Sequence, residues 1–388
     1  MPSLYVHVPF CKAKCAYCAF YSVPAEREII NSYLTALEQE ITRRASEAPS
    51  GVFSLYLGGG TPSILDPTAL AKLLELIHRH FIIKPQFGES QSTALKAAEK
   101  TCEANPGTLN AEKMTVLVSY SFNRISLGAQ CFNDNILKTL GRIHSSEDIG
   151  TAVRVVRKAG IENLNLDLIF GLPGQTLTDW QHTISKAIEL EPEHLSLYGL
   201  MLEKNTPLGR KYLSAGEHDL PDDDLQADMY EWAVDFLDAH GYKRYEVANF
   251  AKPGYECSHN LAYWRLEDYI GLGPAAVSCL NNIRIKNEEN IDLYTNRLLN
   301  EGRGYNPRDV EVLSLKDRMA EYVILGLRTV WGVDPREFKR KFNKEIQDIY
   351  GSVLTDYQKN GILLLENGKI KINPSYLFVA NSILQKFV

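Results

Sequence analysis

Cys11, Cys15 and Cys18 fall within eight residues, in the run CKAKCAYCAF, directly behind an apolar stretch containing Leu4, Tyr5, Val6 and Val8. Thiolates are soft ligands, suited to iron–sulfur clusters and to zinc. A structural zinc site is usually closed by four ligands, often as two separated pairs. Here the C-x3-C-x2-C spacing supplies three local sulfurs, and Phe20 stands where a fourth ligand could have come. A four-iron cube held at three corners keeps its fourth iron open, and an open position is where an exchangeable ligand goes. Ala13, Ala16 and Ala19 leave the loop uncrowded around one such cluster. The plain alternative, ordinary thiols in a reduced cytosol, gives no reason for three at this spacing.

Elements that could position this loop follow it in regular order. Strand-like runs occur at Leu4–Val8, Phe53–Leu57, Thr101–Ala104, Asn123–Leu127, Asn163–Phe170 and His194–Leu200. Between them lie segments with helical periodicity, such as Ile29, Tyr33, Leu37 and Ile41, or Leu70, Leu73, Leu74 and Ile77. Six strand–helix alternations predict an α/β fold with a parallel sheet, open or partly closed as a barrel. The polar stretch 84–100 reads as a surface insertion before the third strand. Ligands bind at the carboxyl ends of strands in such folds. There the chain carries Gly58-Gly59-Gly60-Thr61-Pro62, then Glu103-Ala104-Asn105-Pro106, then Gly128-Ala129-Gln130, and Asp167 ahead of Gly171-Leu172-Pro173-Gly174. Singly each signal is weak, because three glycines are more often only a tight turn. Together, beside the cysteine loop, they predict a site.

Composition narrows the rest. The chain has 388 residues, 45% apolar and 23% charged, which suits two or three globular domains. A net charge of −6 gives no global pull toward nucleic acid or anionic lipid. Seven cysteines, three of them in one loop, argue against a disulfide framework, and Cys102, Cys131, Cys257 and Cys279 read as buried thiols. The first residues, MPSLYVHVPF, show no secretion signal, and no apolar run is long enough to span a bilayer, so a cytoplasmic location is expected.

The cysteine motif with the GGGTP, EANP and DLIFGLPGQT segments resembles the radical S-adenosylmethionine superfamily. Within it the chain is similar to the oxygen-independent coproporphyrinogen III oxidase family over nearly its whole length. The resemblance implies a partial (β/α)6 barrel, with Cys11, Cys15 and Cys18 holding a 4Fe–4S cluster. The open iron would take the amino and carboxylate groups of S-adenosylmethionine, and one electron would cleave the sulfonium to a 5′-deoxyadenosyl radical. Gly59, Gly60 and Thr61 could offer backbone donors to the carboxylate, and Glu103 an acceptor for amino or ribose groups. Gln130, Arg142 and Asp167 match family positions that contact a second nucleoside or substrate, and Tyr5 and Tyr17 match positions lining the pocket. Arg142 has an equal alternative as a helix-end cation. Asp167 in an apolar strand favours function, since a buried unpaired carboxylate is costly.

Two departures separate the chain from the oxidase branch. Phe20 replaces that branch's fourth cysteine, and the sequence starts only ten residues before Cys11, without the oxidase's N-terminal extension. Farther on, His259-Asn260-Leu261-Ala262-Tyr263-Trp264 matches the H-N-x-x-Y-W pattern of the haem-chaperone branch. His259 or Cys257 could ligate iron, and Tyr263 and Trp264 offer flat faces. The alternative is a packed loop in which His259 and Asn260 bond backbone groups and the aromatics fill a core. The resemblance therefore implies a haem chaperone, with oxidative decarboxylation of coproporphyrinogen III as the competing activity. Its partners would be haem or porphyrin, an electron donor of reductase, ferredoxin or flavodoxin type, and haem-accepting respiratory proteins. A homodimer is implied as well.

The predicted domains are a barrel core over 1–205, a barrel-completing extension over 206–305 and a winged-helix-like domain over 306–388. The acidic run Asp222–Asp224 reads as a helix cap rather than a metal site. Helices over Ser314–Leu327, Pro335–Phe342 and Lys344–Asn360 precede a short hairpin. No Arg/Lys-dense recognition helix is evident, so nucleic acid is not among the expected partners. Arg336, Lys339, Arg340, Lys341 and Lys344 form a basic cluster, read first as a solvated face and second as a patch for a partner or transient membrane association.

Overall fold

Alternation of apolar and chemically active residues in the first strand sets the architecture. In the computed structural model, which describes residues 1–85, 97–214 and 219–388, β1 (Ser3–Val8) buries Leu4, Val6 and Val8 completely. Successive strand residues point to opposite faces, so Tyr5 and His7 are left for the inner side. The outer face packs on the helix Arg27–Arg44, whose Ile30, Leu34, Leu37 and Ile41 are buried. Each such aliphatic side chain stabilises the fold by roughly 1.5–3 kcal/mol.

The strands β2 (Ser54–Gly59), β3 (Glu99–Ala104), β4 (Arg124–Gln130), β5 (Asn163–Phe170) and β6 (His194–Gly199) follow in spatial order, all parallel. The helix Arg27–Arg44 starts without a side-chain cap, whereas later intervening helices start where side chains satisfy their free amides. Asp66 accepts from Thr68 N and Ala69 N, both at 2.9 Å, ahead of Pro67–His80. Ser145 with Asp148 and Thr176 with Asp179 form capping boxes. This is the expected parallel α/β barrel, open rather than closed. The polar stretch expected as an insertion falls largely on 86–96, outside the described residues.

Chain after residue 205 adds strands to both edges of the sheet. On one side β7 (Lys243–Arg244) and β8 (Asn249–Ala251) extend it antiparallel beyond β6. On the other β9 (Tyr269–Leu272) lies parallel to β1, followed by antiparallel β10 (Val277–Leu280), β11 (Ile283–Lys286) and β12 (Val310–Val312). The twelve-stranded order is β12-β11-β10-β9-β1-β2-β3-β4-β5-β6-β8-β7. Between β7 and β8 the chain turns, with Val247 O accepting from Tyr230 Oη and Glu246 Oε2 accepting from Ala248 N. Asp222 caps the helix Asp223–Ala239, as its position suggested.

Helices Leu315–Leu327, Pro335–Phe342 and Ile346–Lys359 precede a hairpin, Leu363–Glu366 with Lys369–Ile372. Phe338, Leu354, Ile370 and Phe387 fill its core. Four of the five residues of the basic cluster are engaged: Arg336 with Asp334 at 3.3 Å, Arg340 with Glu337 at 3.2 Å, Lys339 with Glu345, and Lys341 over the Tyr322 ring. Among the described residues no helix is long and apolar enough to cross a membrane.

Candidate functional site

The cysteine loop leaves β1 through a two-residue strand, Phe10–Cys11, which pairs with Val23–Pro24. Backbone bonds then clamp it from two sides. Ala16 N donates to Leu140 O at 2.9 Å, and Leu208 N donates to Ala16 O at 2.8 Å. All three loop cysteines are free thiols and partly exposed. Burial pushes the Cys18 thiol above its ordinary value, with Cys15 and Cys11 adding to this. Among the described residues no three His, Cys, Asp or Glu side chains converge on one metal ion. Three free thiols on one loop are the donors a cubane takes, one on each of three irons.

Arg142 is the loop's main side-chain contact. Its Nη1 donates to Cys15 Sγ at 3.5 Å and its Nη2 to Gly128 O at 2.7 Å, while Nε is buried with no acceptor. The surface-cation alternative therefore does not describe it. Tyr17 lies against the same guanidinium, which counters the upward push of burial on its phenol.

The glycine run holds a surprise. Gly59 N donates to Glu103 Oε2 at 3.1 Å, Gly60 N to Val8 O at 2.9 Å and Thr61 N to Phe10 O at 2.8 Å. These amides are already engaged within the fold, so they are not the free donors the sequence suggested. Glycine is required at 59 for another reason: φ is +111°, and a Cβ there would sit 2.6 Å from the His7 ring. The Thr61 hydroxyl lies 3.6 Å from Cys11 Sγ.

Glu103 points inward from β3, held by Tyr56 Oη at 2.9 Å as well as by Gly59. Burial, reinforced by the Asp167 carboxylate, raises it to about 7. Asp167 is satisfied rather than orphaned, accepting from Asn165 Nδ2 at 2.8 Å and Ser126 Oγ at 3.1 Å. Burial raises its pKa too. Gln130 sits at a bulge in the β4–β5 pairing with φ +67°, a left-handed conformation that costs a non-glycine residue energy. A Cβ at Gly128 would meet Gln130 Nε2 at 2.9 Å and Arg142 Nη2 at 3.2 Å, so that glycine is the space into which both polar groups turn.

The HNLAYW stretch forms a short helix, Ser258–Trp264, at the end of the barrel where the strands begin. Glu99, the first residue of β3, accepts from Ser258 N at 2.9 Å, His259 N at 3.0 Å and Cys257 Sγ at 3.2 Å. His259 is 1% exposed, with Nδ1 3.0 Å from Ser54 Oγ and Nε2 3.1 Å from Tyr263 Oη. Its ring stacks on Tyr56 at 5.0 Å, and burial holds it neutral, lowered to about 3. Neither nitrogen is open to an iron, and Cys257 is fully buried. The packed-loop alternative describes this histidine's burial, with side chains rather than backbone groups as the ring's partners. Of the motif, Tyr263 lines a cavity that it shares with Tyr5 and Tyr269. Asn260 and Trp264 are half-buried and line no part of that cavity.

Several residues that complete the site carried no motif. Tyr56 joins Glu103 to His259, and His7, lowered to about 4 by burial, accepts or donates to Tyr5 Oη at 3.0 Å. Tyr56 stands directly across from Tyr5 in the β1–β2 register, two positions before Gly58, so strand alternation was the available signal. Ser126 and Asn165, around Asp167, sit in runs that read as plain strand.

The Radical SAM superfamily matches residues 5–187, and the HemN C-terminal domain matches residues 313–375. The chain is 34% identical to heme chaperone HemW of Bacillus subtilis over 100% of its own length and 99% of the relative's. To heme chaperone HemW of Escherichia coli it is 39% identical, over 71% of this chain and 69% of that one. Among solved structures, coproporphyrinogen III oxidase (HemN) from Escherichia coli superposes with a TM-score of 0.85 at 25% identity, covering 100% of this chain and 90% of the oxidase.

Proposed function

This chain belongs to the heme chaperone HemW family within the radical SAM superfamily, and from that membership we propose that it is a haem chaperone, binding haem and passing it to respiratory haem proteins. The full-length likeness to chaperones, in a fold shared with the oxidase, is the observation that carries the reading. Phe20 at the position of the oxidase's fourth cysteine supports it.

The superfamily implies a 4Fe–4S cluster and S-adenosylmethionine. We assign the cluster to Cys11, Cys15 and Cys18, and the buried unpartnered Nε of Arg142 beside Cys15 supports a ligand there. When bound, the cluster supplies an electron to the sulfonium of S-adenosylmethionine. The chain's own part is to receive that cation. Glu103, carrying a proton near neutral pH, becomes the counter-charge for an ammonium once it ionises. Because the amides of Gly59, Gly60 and Thr61 are engaged, the group this strand end offers an ammonium is the Glu103 carboxylate that Gly59 N helps to hold. Gln130, Arg142 and Asp167 form the polar wall opposite, while Tyr5 and Tyr17 line the pocket. A low-potential electron donor, a homodimeric state and a cytoplasmic location belong to the same reading.

The test is anaerobic reconstitution followed by two measurements on one sample: haem titration by absorbance, and product analysis with coproporphyrinogen III. Stoichiometric haem without decarboxylation is expected. Turnover to protoporphyrinogen would replace the chaperone with the oxidase.

A further inference from the structure

We infer that haem is seated in the cavity between the cysteine loop and the β9–β11 extension, its flat face against Tyr263 and Tyr269 and its propionates toward Lys14 and Lys286. This assignment rests on the chaperone reading above. The cavity measures about 600 Å³, inside the ~300–1,000 Å³ range of ligand pockets. Its inner wall is aromatic, with Tyr263 and Tyr269 edge to face at 4.8 Å and 76°. At its rim Phe20 is 69% exposed, a large apolar side chain that a porphyrin plane would cover. That gives a physical use to the residue standing where a further thiolate was absent.

The charges are arranged for a plate with carboxylates at one edge. Lys14 Nζ is held at the rim by Phe20 O at 3.2 Å. Lys286 Nζ is 2.5 Å from Glu289 Oε1, a pair with side chains 49% and 59% exposed. Exposed pairs of this kind contribute little, so a propionate can exchange with Glu289 at small cost. Among the described residues Glu289 is the one carboxylate lining the cavity. The carboxylates suited to a sulfonium and an ammonium, Glu103 and Asp167, do not line this cavity, although Tyr5 lines it and packs beside Tyr56, the partner of Glu103. The HNLAYW motif then serves haem through Tyr263, while His259 holds Tyr263 from behind through its 3.1 Å bond.

Haem titration of the full chain, reconstituted without oxygen, tests the seat with two variants. Val277→Trp fills the cavity from β10, and Lys286→Glu reverses one exposed charge. Haem affinity should fall at least about tenfold in the first and on the order of tenfold in the second. Iron content should stay at the wild-type level in both, and S-adenosylmethionine binding should stay at that level in Lys286→Glu. With haem dimethyl ester, whose carboxylates are masked, Lys286→Glu and wild type should bind alike. Should Val277→Trp fold poorly, Lys286→Glu and its ester control decide alone. Undiminished haem affinity in folded, iron-replete variants overturns this seat and leaves the chaperone reading standing. Wild-type protein that binds no haem overturns both.

Discussion

His259→Ala should damage the fold far more than it damages haem binding. The ring is 1% exposed and bonded to Ser54 Oγ and Tyr263 Oη. Removing it leaves Ser54, fully buried, without that partner. A buried polar group so orphaned costs roughly 1–3 kcal/mol. Loss of the stacked contact with Tyr56 at 5.0 Å adds about 0.5–1.5 kcal/mol, and the cavity left behind adds more. Together these suggest a destabilisation of roughly 3–5 kcal/mol, read as a lower midpoint in urea denaturation followed by circular dichroism. The visible spectrum of the haem-loaded protein should keep its position at temperatures where the variant stays folded, because both ring nitrogens of His259 are engaged within the fold. A variant with unchanged urea midpoint and a lost or shifted haem spectrum would refute this reasoning and restore the histidine as a ligand.

Glu103→Gln tests the electrostatics at the barrel mouth. Its folded-state value, about 7, lies above the ordinary 4.5, so the native chain holds a proton that the unfolded chain has already released across that interval. Stability from this group is full below pH 4.5 and declines as pH rises through 7. Glutamine should flatten that decline, worth about 1–3 kcal/mol at pH 8, and should abolish the tightening of S-adenosylmethionine binding expected between pH 6 and 8 in equilibrium dialysis. Gly59→Ala drives a Cβ to 2.6 Å from the His7 ring at φ +111°. It should cost more than about 3 kcal/mol in urea denaturation and reduce the iron retained after reconstitution; a wild-type midpoint would contradict the packing.

How far the sequence could be read depended on whether a residue's role was local. The strands were placed to within a few residues because their apolar runs are buried on the helix side whatever the inner face does. Their ends were drawn short at Leu57 and Leu127, where the chain continues as strand through Gly59 and Gln130. Glycine and a polar side chain read as turn, yet both sit in pairing register, Gln130 only by way of a bulge. The glycine run was legible as special, but its reason was not. Donation of the Gly59 amide to Glu103 is a contact across two strands, and nothing within GGGTP encodes it. His259 illustrates the same limit more sharply. Imidazole, thiol and aromatic groups in one heptad look like metal and porphyrin chemistry, and only three-dimensional neighbours reveal both ring nitrogens as occupied. The capping role of Asp222 was legible because an N-cap and its helix are contiguous.

The acceptor that seats the Ser258–Trp264 helix lies 159 positions upstream of it, on the first residue of β3. Such a helix, seven residues long, has too few internal bonds to persist alone. It gains its anchor only after the parallel strands have assembled, so the chain emerging from a ribosome must hold the barrel's starting end uncapped until well over half its length is made. Late arrival of this stopper makes the closing step non-local and slow, and it makes the unfinished barrel the species on which a folding helper would act.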